Sequence, residues 1–111
     1  MLETLLKSVF GSKHERDLVR VRPIVAEINR LAEGFQSLSD DELKAKTAEW
    51  KARLAEAVAL ETEPEERKQA EKAALDDLLP EAFAAVKDTC RRLVGHTWDV
   101  VGIPITWDMV P

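Results

Sequence analysis

Apolar residues recur at helical spacing along most of the chain. Leu2, Leu5, Leu6, Val9 and Phe10 fall on one face of a helix, leaving Glu3, Thr4, Lys7 and Ser8 on the other. The spacing predicts a short amphipathic helix over 2–9, ended by Gly11-Ser12. Leu18, Val21, Val25, Ile28 and Leu31 predict a second helix over 14–33, closing at Gly34. Pro23 removes a backbone donor and crowds the preceding turn, so a kink or break is expected near Arg20–Arg22.

The third helix has the clearest start. Ser39 precedes Glu42 at capping-box spacing, and Leu38 and Leu43 occupy the positions of a hydrophobic staple. Asp40 and Asp41 put negative charge where the helix dipole favours it. This helix is expected over 40–60, with Leu43, Thr47, Trp50, Leu54 and Val58 forming its buried stripe. Pro64 suits the first turn of another helix, over 64–78, with Ala70, Ala73, Ala74 and Leu78 as a weak stripe. Pro80 is expected to open a separate one over 80–94, lined by Leu79, Phe83, Val86, Cys90 and Leu93 and closed by Gly95. Cys90 reads as a small buried hydrophobe.

The period then changes. Val100 to Val110 is rich in Val, Ile, Thr and Trp, and Thr97-Trp98-Asp99 recurs as Thr106-Trp107-Asp108. A four-residue turn, Val101 to Pro104, sets Val100 against Ile105, Asp99 against Thr106 and Trp98 against Trp107. Trp98, Val100, Ile105 and Trp107 then share one face, with Asp99 and Thr106 on the other. The longer turn is preferred because a tighter one would ask Pro104 for a missing N–H. The expected fold is mostly α, several helices followed by a short C-terminal hairpin. Its parts are an N-terminal amphipathic helix (1–12), a helical region (13–95) and the hairpin (96–111).

Composition narrows the function. Sixteen Lys and Arg against 21 Asp and Glu leave a net charge of −5, which disfavours a nucleic-acid binder. Charge is uneven: residues 1–22 carry +2 and residues 61–81 carry −5. One cysteine forms no internal disulfide and fits a reducing compartment. No apolar run reaches the roughly eighteen residues that would span a bilayer. His14 and His96 have no Cys or His at metal spacing. There is no GxxxxGK[ST] phosphate loop, GxGxxG turn or GxSxG elbow, so no active site is visible. The remaining candidate is a contact surface. Leu2, Leu5, Leu6, Val9 and Phe10 supply the apolar part, and Lys7, Lys13 and Arg16 the charge, for a lipid headgroup layer or a partner.

The run Leu38-Ser39-Asp40-Asp41-Glu42-Leu43 through Lys46-Thr47, Glu49-Trp50 and Arg53-Leu54 resembles the LSDEEL-x-x-KT-x-E-[FW]-x-x-R-[LI] segment near the start of the SecA family. Leu2 through Lys13 resembles that family's N-terminal helix, and Leu78-Leu79-Pro80-Glu81-Ala82-Phe83-Ala84-Ala85-Val86 its LLPEAFA-[LV]-V. Two features depart from the pattern. Pro23 stands where a basic residue is usual, and His96 to Pro111 stands where shorter members pass almost directly into the nucleotide-binding domain.

The resemblance implies the N-terminal part of a preprotein translocase motor that couples ATP hydrolysis to export of unfolded preproteins through the SecYEG channel. The hairpin would lead into an α/β nucleotide-binding domain. ATP and Mg are implied for the full-length motor and no cofactor for these residues, which lack its phosphate loop. SecYEG and acidic phospholipids are the implied partners, with a homodimer as a further association. The implied location is cytoplasmic, peripheral to the inner face of the cell membrane. The alternative is a free-standing helical interaction or membrane-surface module without ATPase activity.

Overall fold

The computed structural model describes residues 11–111. The helix expected over 2–9 lies outside them. Among the described residues three helices come first: α1 (Lys13–Phe35), α2 (Asp40–Val58) and α3 (Pro64–Leu93). Two antiparallel strands follow, β1 (Thr97–Val100) and β2 (Ile103–Thr106). Both α1 and α2 pack on α3, the longest element.

Local chemistry starts the helices. At α2, Ser39 Oγ accepts the Glu42 N–H at 3.2 Å and Glu42 Oε2 accepts the Ser39 N–H at 2.7 Å, completing the capping box. The same box stands at α1, between Ser12 and Glu15. Pro64 opens α3, where its missing N–H leaves no internal bond unmade.

Neither internal proline ends a helix. α1 runs through Pro23, and α3 runs through Pro80, so the segments expected over 64–78 and 80–94 are one helix. Each proline deprives the carbonyl four residues earlier of its donor. Those residues, Val19 and Asp76, are both exposed, so water can take the place of the lost N–H.

The core is small. Among the described residues Ala32, Leu43, Leu78, Ala84, Ala85 and Cys90 are the buried apolar ones. Of the stripe expected on α2, Leu43 is buried, Trp50, Leu54 and Val58 are half-buried, and Thr47 is exposed. On α3 the buried side is that of Leu78, Ala85 and Asp88. Leu79, Phe83 and Val86 are exposed. Ala84 and Ala85 are small enough for the α1 and α2 backbones to approach α3 closely, which is why this side faces inward.

Polar contacts fasten the helices. Asp88 is 1% exposed and accepts from Arg91 Nε and Arg92 Nε, both at 2.8 Å. Arg92 reaches on to Asp40 Oδ1 (2.7 Å) and to the carbonyls of Phe35 (2.9 Å) and Leu38 (2.7 Å). It thereby holds the end of α1, the link and the start of α2 against α3. Lower down, Glu81 accepts from Trp50 Nε1 (2.9 Å) and Arg53 Nη1 (2.6 Å), tying α2 to α3. Lys87 donates to Asn29 Oδ1 at 2.7 Å, tying α1 to α3.

The hairpin differs from expectation in register. Its turn is the two residues Val101-Gly102, and Val100 pairs with Ile103, Asp99 with Pro104, Trp98 with Ile105 and Thr97 with Thr106. Both turn residues have positive φ (53° and 79°), the type I′ geometry that matches strand twist. The proline is accommodated because Asp99↔Pro104 is a non-hydrogen-bonded pair, where no N–H is required. The register differs from the expected one by two residues. The faces are therefore unchanged, and Trp98, Val100, Ile105 and Trp107 still share one. The two indoles are diagonal neighbours rather than opposite each other, stacked with centroids 6.2 Å apart. At the base, Gly95 N–H donates to Trp107 O while Trp107 N–H donates to His96 O, both at 2.9 Å. Gly95, at φ +85°, is the extra residue of this glycine bulge.

Asp88→Asn should cost about 3 kcal/mol, because two guanidinium groups lose a buried counter-charge. Ser39→Ala should cost about 1 kcal/mol through loss of the N-cap. Urea unfolding monitored by circular dichroism measures both; equal stability of wild type and Asp88→Asn would show that the buried carboxylate does not hold the helices.

Candidate membrane and partner interface

The expected contact surface combines an apolar part and a charged part. Leu2, Leu5, Leu6, Lys7, Val9 and Phe10 lie outside the described residues. Lys13 and Arg16 are placed: both are exposed in the first turns of α1. Neither forms an ion pair with another described residue.

The start of α1 is held by its capping box. Ser12 Oγ accepts the Glu15 N–H at 3.2 Å, and the Glu15 carboxylate accepts the Ser12 N–H. That backbone hydrogen bond, and then the hydroxyl, hold the Glu15 carboxyl below its usual range. Gly11 precedes the box at φ +69°, a left-handed conformation in which a side chain is strained. A Cβ there would also stand 3.0 Å from the Glu15 carboxylate. The box is legible as Ser12-x-x-Glu15, although Gly11-Ser12 also has the composition of a helix end.

From Lys13 to Ala26 every residue of α1 is exposed. Helical spacing sets Lys13, Arg16 and Arg20 on one side and Leu18, Val21 and Val25 on the other. A shallow hollow of about 630 Å³ lies along this stretch, lined by Gly11, Glu15, Arg16, Leu18, Val19, Arg20 and Arg22. The apolar side continues the stripe that α3 covers farther on, where Ile28 is half-buried and Ala32 buried. This cationic, amphipathic half-helix offers fixed positive charge beside open apolar surface.

A second hollow, of about 470 Å³, separates α2 from α3 and is lined by Leu43, Trp50, Ala82, Ala85, Val86 and Arg92 among others. Two of its ionic groups, Asp40 and Arg92, are engaged in holding the helices. Arg92 keeps Asp40 ionised to lower pH, chiefly by hydrogen bonding. Burial pushes Glu81 up, but the hydrogen bonds from Arg53 and Trp50 outweigh it and leave its carboxyl below the usual range. Asp88, Arg92 and Glu81 were missed as contacts between helices. The Asp88/Arg92 spacing was readable as a helix pair, but burial is decided by the neighbouring helices. Among the described residues no group of His, Cys, Asp and Glu is placed to hold a metal ion.

The sequence profile of the SecA DEAD-like domain family matches residues 6–103. The chain belongs to the SecA family. It is similar to the protein translocase subunit SecA of Chlorobium phaeobacteroides (strain BS1), 40% identical over 136 residues that take in 96% of this chain and 13% of the relative. The SecA of Prosthecochloris aestuarii is 38% identical over 143 residues, with 100% of this chain and 14% of the relative covered. That of Salinibacter ruber is 37% identical over 154 residues, 96% and 13%. The chain thus spans about an eighth of the length of the SecA relatives it matches. No solved structure matches it. Among the described residues no helix is long and apolar enough to cross a membrane.

Glu15, Glu42, Asp40 and Glu81 all have carboxyl pKa values lowered by contacts of the folded state. A depressed folded pKa favours folding above the unfolded value and loses that contribution as pH falls through the folded one. Thermal midpoints should therefore be flat from neutral pH to about 5 and drop below about 4.5, where unfolded carboxylates begin to bind protons. A midpoint unchanged down to about pH 3 would remove these carboxylates from the stability of the fold.

Proposed function

We propose that this chain is the N-terminal segment of a SecA motor that couples ATP hydrolysis to export of unfolded preproteins through SecYEG. The segment docks the motor on acidic phospholipid and the channel and contributes to contact between subunits. Its parts are the amphipathic segment 1–12, the helical region 13–95 and the hairpin 96–111, which leads into the α/β nucleotide-binding domain. The location is cytoplasmic, peripheral to the inner face of the membrane. Support comes from the family match across 6–103, from relatives named protein translocase subunit SecA, and above all from the exposed cationic start of α1. Lys13 and Arg16 extend there without described ionic partners, next to the apolar–basic pattern of residues 2–10.

ATP and Mg serve the full-length motor. Residues 1–111 contain no phosphate loop, and backbone amides at a glycine-rich turn are what cradle phosphates. They neither bind nor hydrolyse ATP by themselves in this proposal.

Docking is weak and reversible. Burial of Leu2, Leu5, Leu6, Val9 and Phe10 contributes about 25 cal/mol per Å² of apolar area, offset by the entropy of ordering. Each base near an anionic surface adds about 1 kcal/mol. The purified chain should co-sediment with vesicles containing acidic lipid, less so in high salt, and Leu5→Glu/Leu6→Glu should abolish the effect. Equal sedimentation of wild type and double mutant, or none for either, would remove membrane docking from this segment. Micromolar ATP affinity by calorimetry would overturn the assignment of nucleotide binding to other parts of the motor.

A further inference from the structure

The two edges of the hairpin are chemically unequal. Trp107 donates to His96 across the strands, and Val100 pairs with Ile103 at the turn. The hydrogen-bonded pairs are therefore those of His96, Trp98 and Val100, and alternation turns the N–H and C=O of Thr97 and Asp99 outward along β1. On β2 the matching outward positions are Pro104 and Thr106. Pro104 has no N–H and its ring obstructs an incoming strand, so this edge is closed. Among the described residues the β1 edge carries no such block, and all its residues are exposed.

We propose that β1 pairs antiparallel with β1 of a second copy of this chain, joining the two hairpins into one four-stranded sheet. The edge is self-complementary about a twofold axis at Trp98. The outward groups of Thr97 meet those of the partner's Asp99, and the reverse, in hydrogen-bonded pairs. Trp98 meets the partner's Trp98 in the central non-hydrogen-bonded pair, where side chains approach most closely. Each Trp98 is already stacked on Trp107, so the pairing extends the indole row across both copies. Charge agrees: Asp99 stands opposite a threonine and not opposite the partner's Asp99, so no like charges face each other. An edge contact of this length buries well under the roughly 1,200 Å² of a stable dimer. The association is therefore weak and concentration-dependent.

Two proline variants test it. Thr97→Pro and Thr106→Pro both place proline at a non-hydrogen-bonded position, and both remove the hydroxyl contact between Thr97 and Thr106. Only Thr97→Pro blocks the open edge. In sedimentation equilibrium over a wide concentration range, the wild type and Thr106→Pro should associate alike. Thr97→Pro should associate about tenfold more weakly or not at all, having lost a donor and gained an obstructing ring. In the unmodified chain, amide exchange at Thr97 and Asp99 should slow as concentration rises, while that at Thr106 stays constant. Association of Thr97→Pro equal to wild type would assign the contact to another surface and overturn the proposal. A wild type that stays monomeric at the highest concentration, or exchange at Thr97 and Asp99 independent of concentration, would overturn it as well.

Discussion

The arrangement of the helices depends on one buried carboxylate and the guanidinium that leaves it. Asp88 is enclosed within the packed faces and must be paired there, since an isolated carboxylate is strongly disfavoured away from water. Arg91 and Arg92 supply the pairing from the next turn of α3. Arg92 then spends its other donors outside its own helix, on Asp40 and on the carbonyls of Phe35 and Leu38. Those carbonyls belong to the end of α1 and the link; that of Phe35 also accepts the Leu38 N–H at 3.0 Å. One side chain thus bonds two backbone carbonyls outside its own helix and fixes where α2 begins relative to α3.

The apolar core alone is too slight to do this. Alanines make up half of its buried apolar residues, and several large hydrophobics on α1 and α3 are exposed. Small residues permit close helix approach but bury little area each. Orientation is consequently shared with polar contacts, at Asp88–Arg92 near one end of the α2–α3 interface and at Glu81 with Trp50 and Arg53 farther down it. Where α1 leaves α3, its apolar stripe and its bases emerge together into solvent. The same geometry that closes the core at Ala32 thereby produces the proposed docking surface around Lys13 and Arg16.

The hairpin is attached to the end of α3 through backbone bonds at Gly95 and His96. Its tip is strained: Val101, 96% exposed, is a β-branched residue held at positive φ. Asp99 Oδ1 accepts the Gly102 N–H at 2.7 Å and helps to keep the turn closed. The strand pairing and the stacked indoles oppose the strain, leaving a two-stranded ribbon with one edge unpaired among the described residues.

Much of the fold is legible in the residues themselves. The start of α2 at Ser39, the burial of Cys90 and the two faces of the hairpin followed from spacing and local hydrogen bonding. SecA membership was legible as a resemblance, carried by the runs Leu38–Leu54 and Leu78–Val86, and the family match across residues 6–103 shows it. Other features required the assembled molecule. Pro23 and Pro80 look like breaks in a one-dimensional pattern, yet both helices continue through them, and Val19 and Asp76, four residues earlier, are exposed. The hairpin register turned on which pair needs an N–H, a two-residue difference that leaves the apolar faces unchanged and is therefore invisible to hydrophobic alternation. Asp88 and Arg92 read as an ordinary surface pair at helical spacing. Only the packing of α1 and α2 on α3 removes that carboxylate from water, because burial belongs to neighbours distant in sequence.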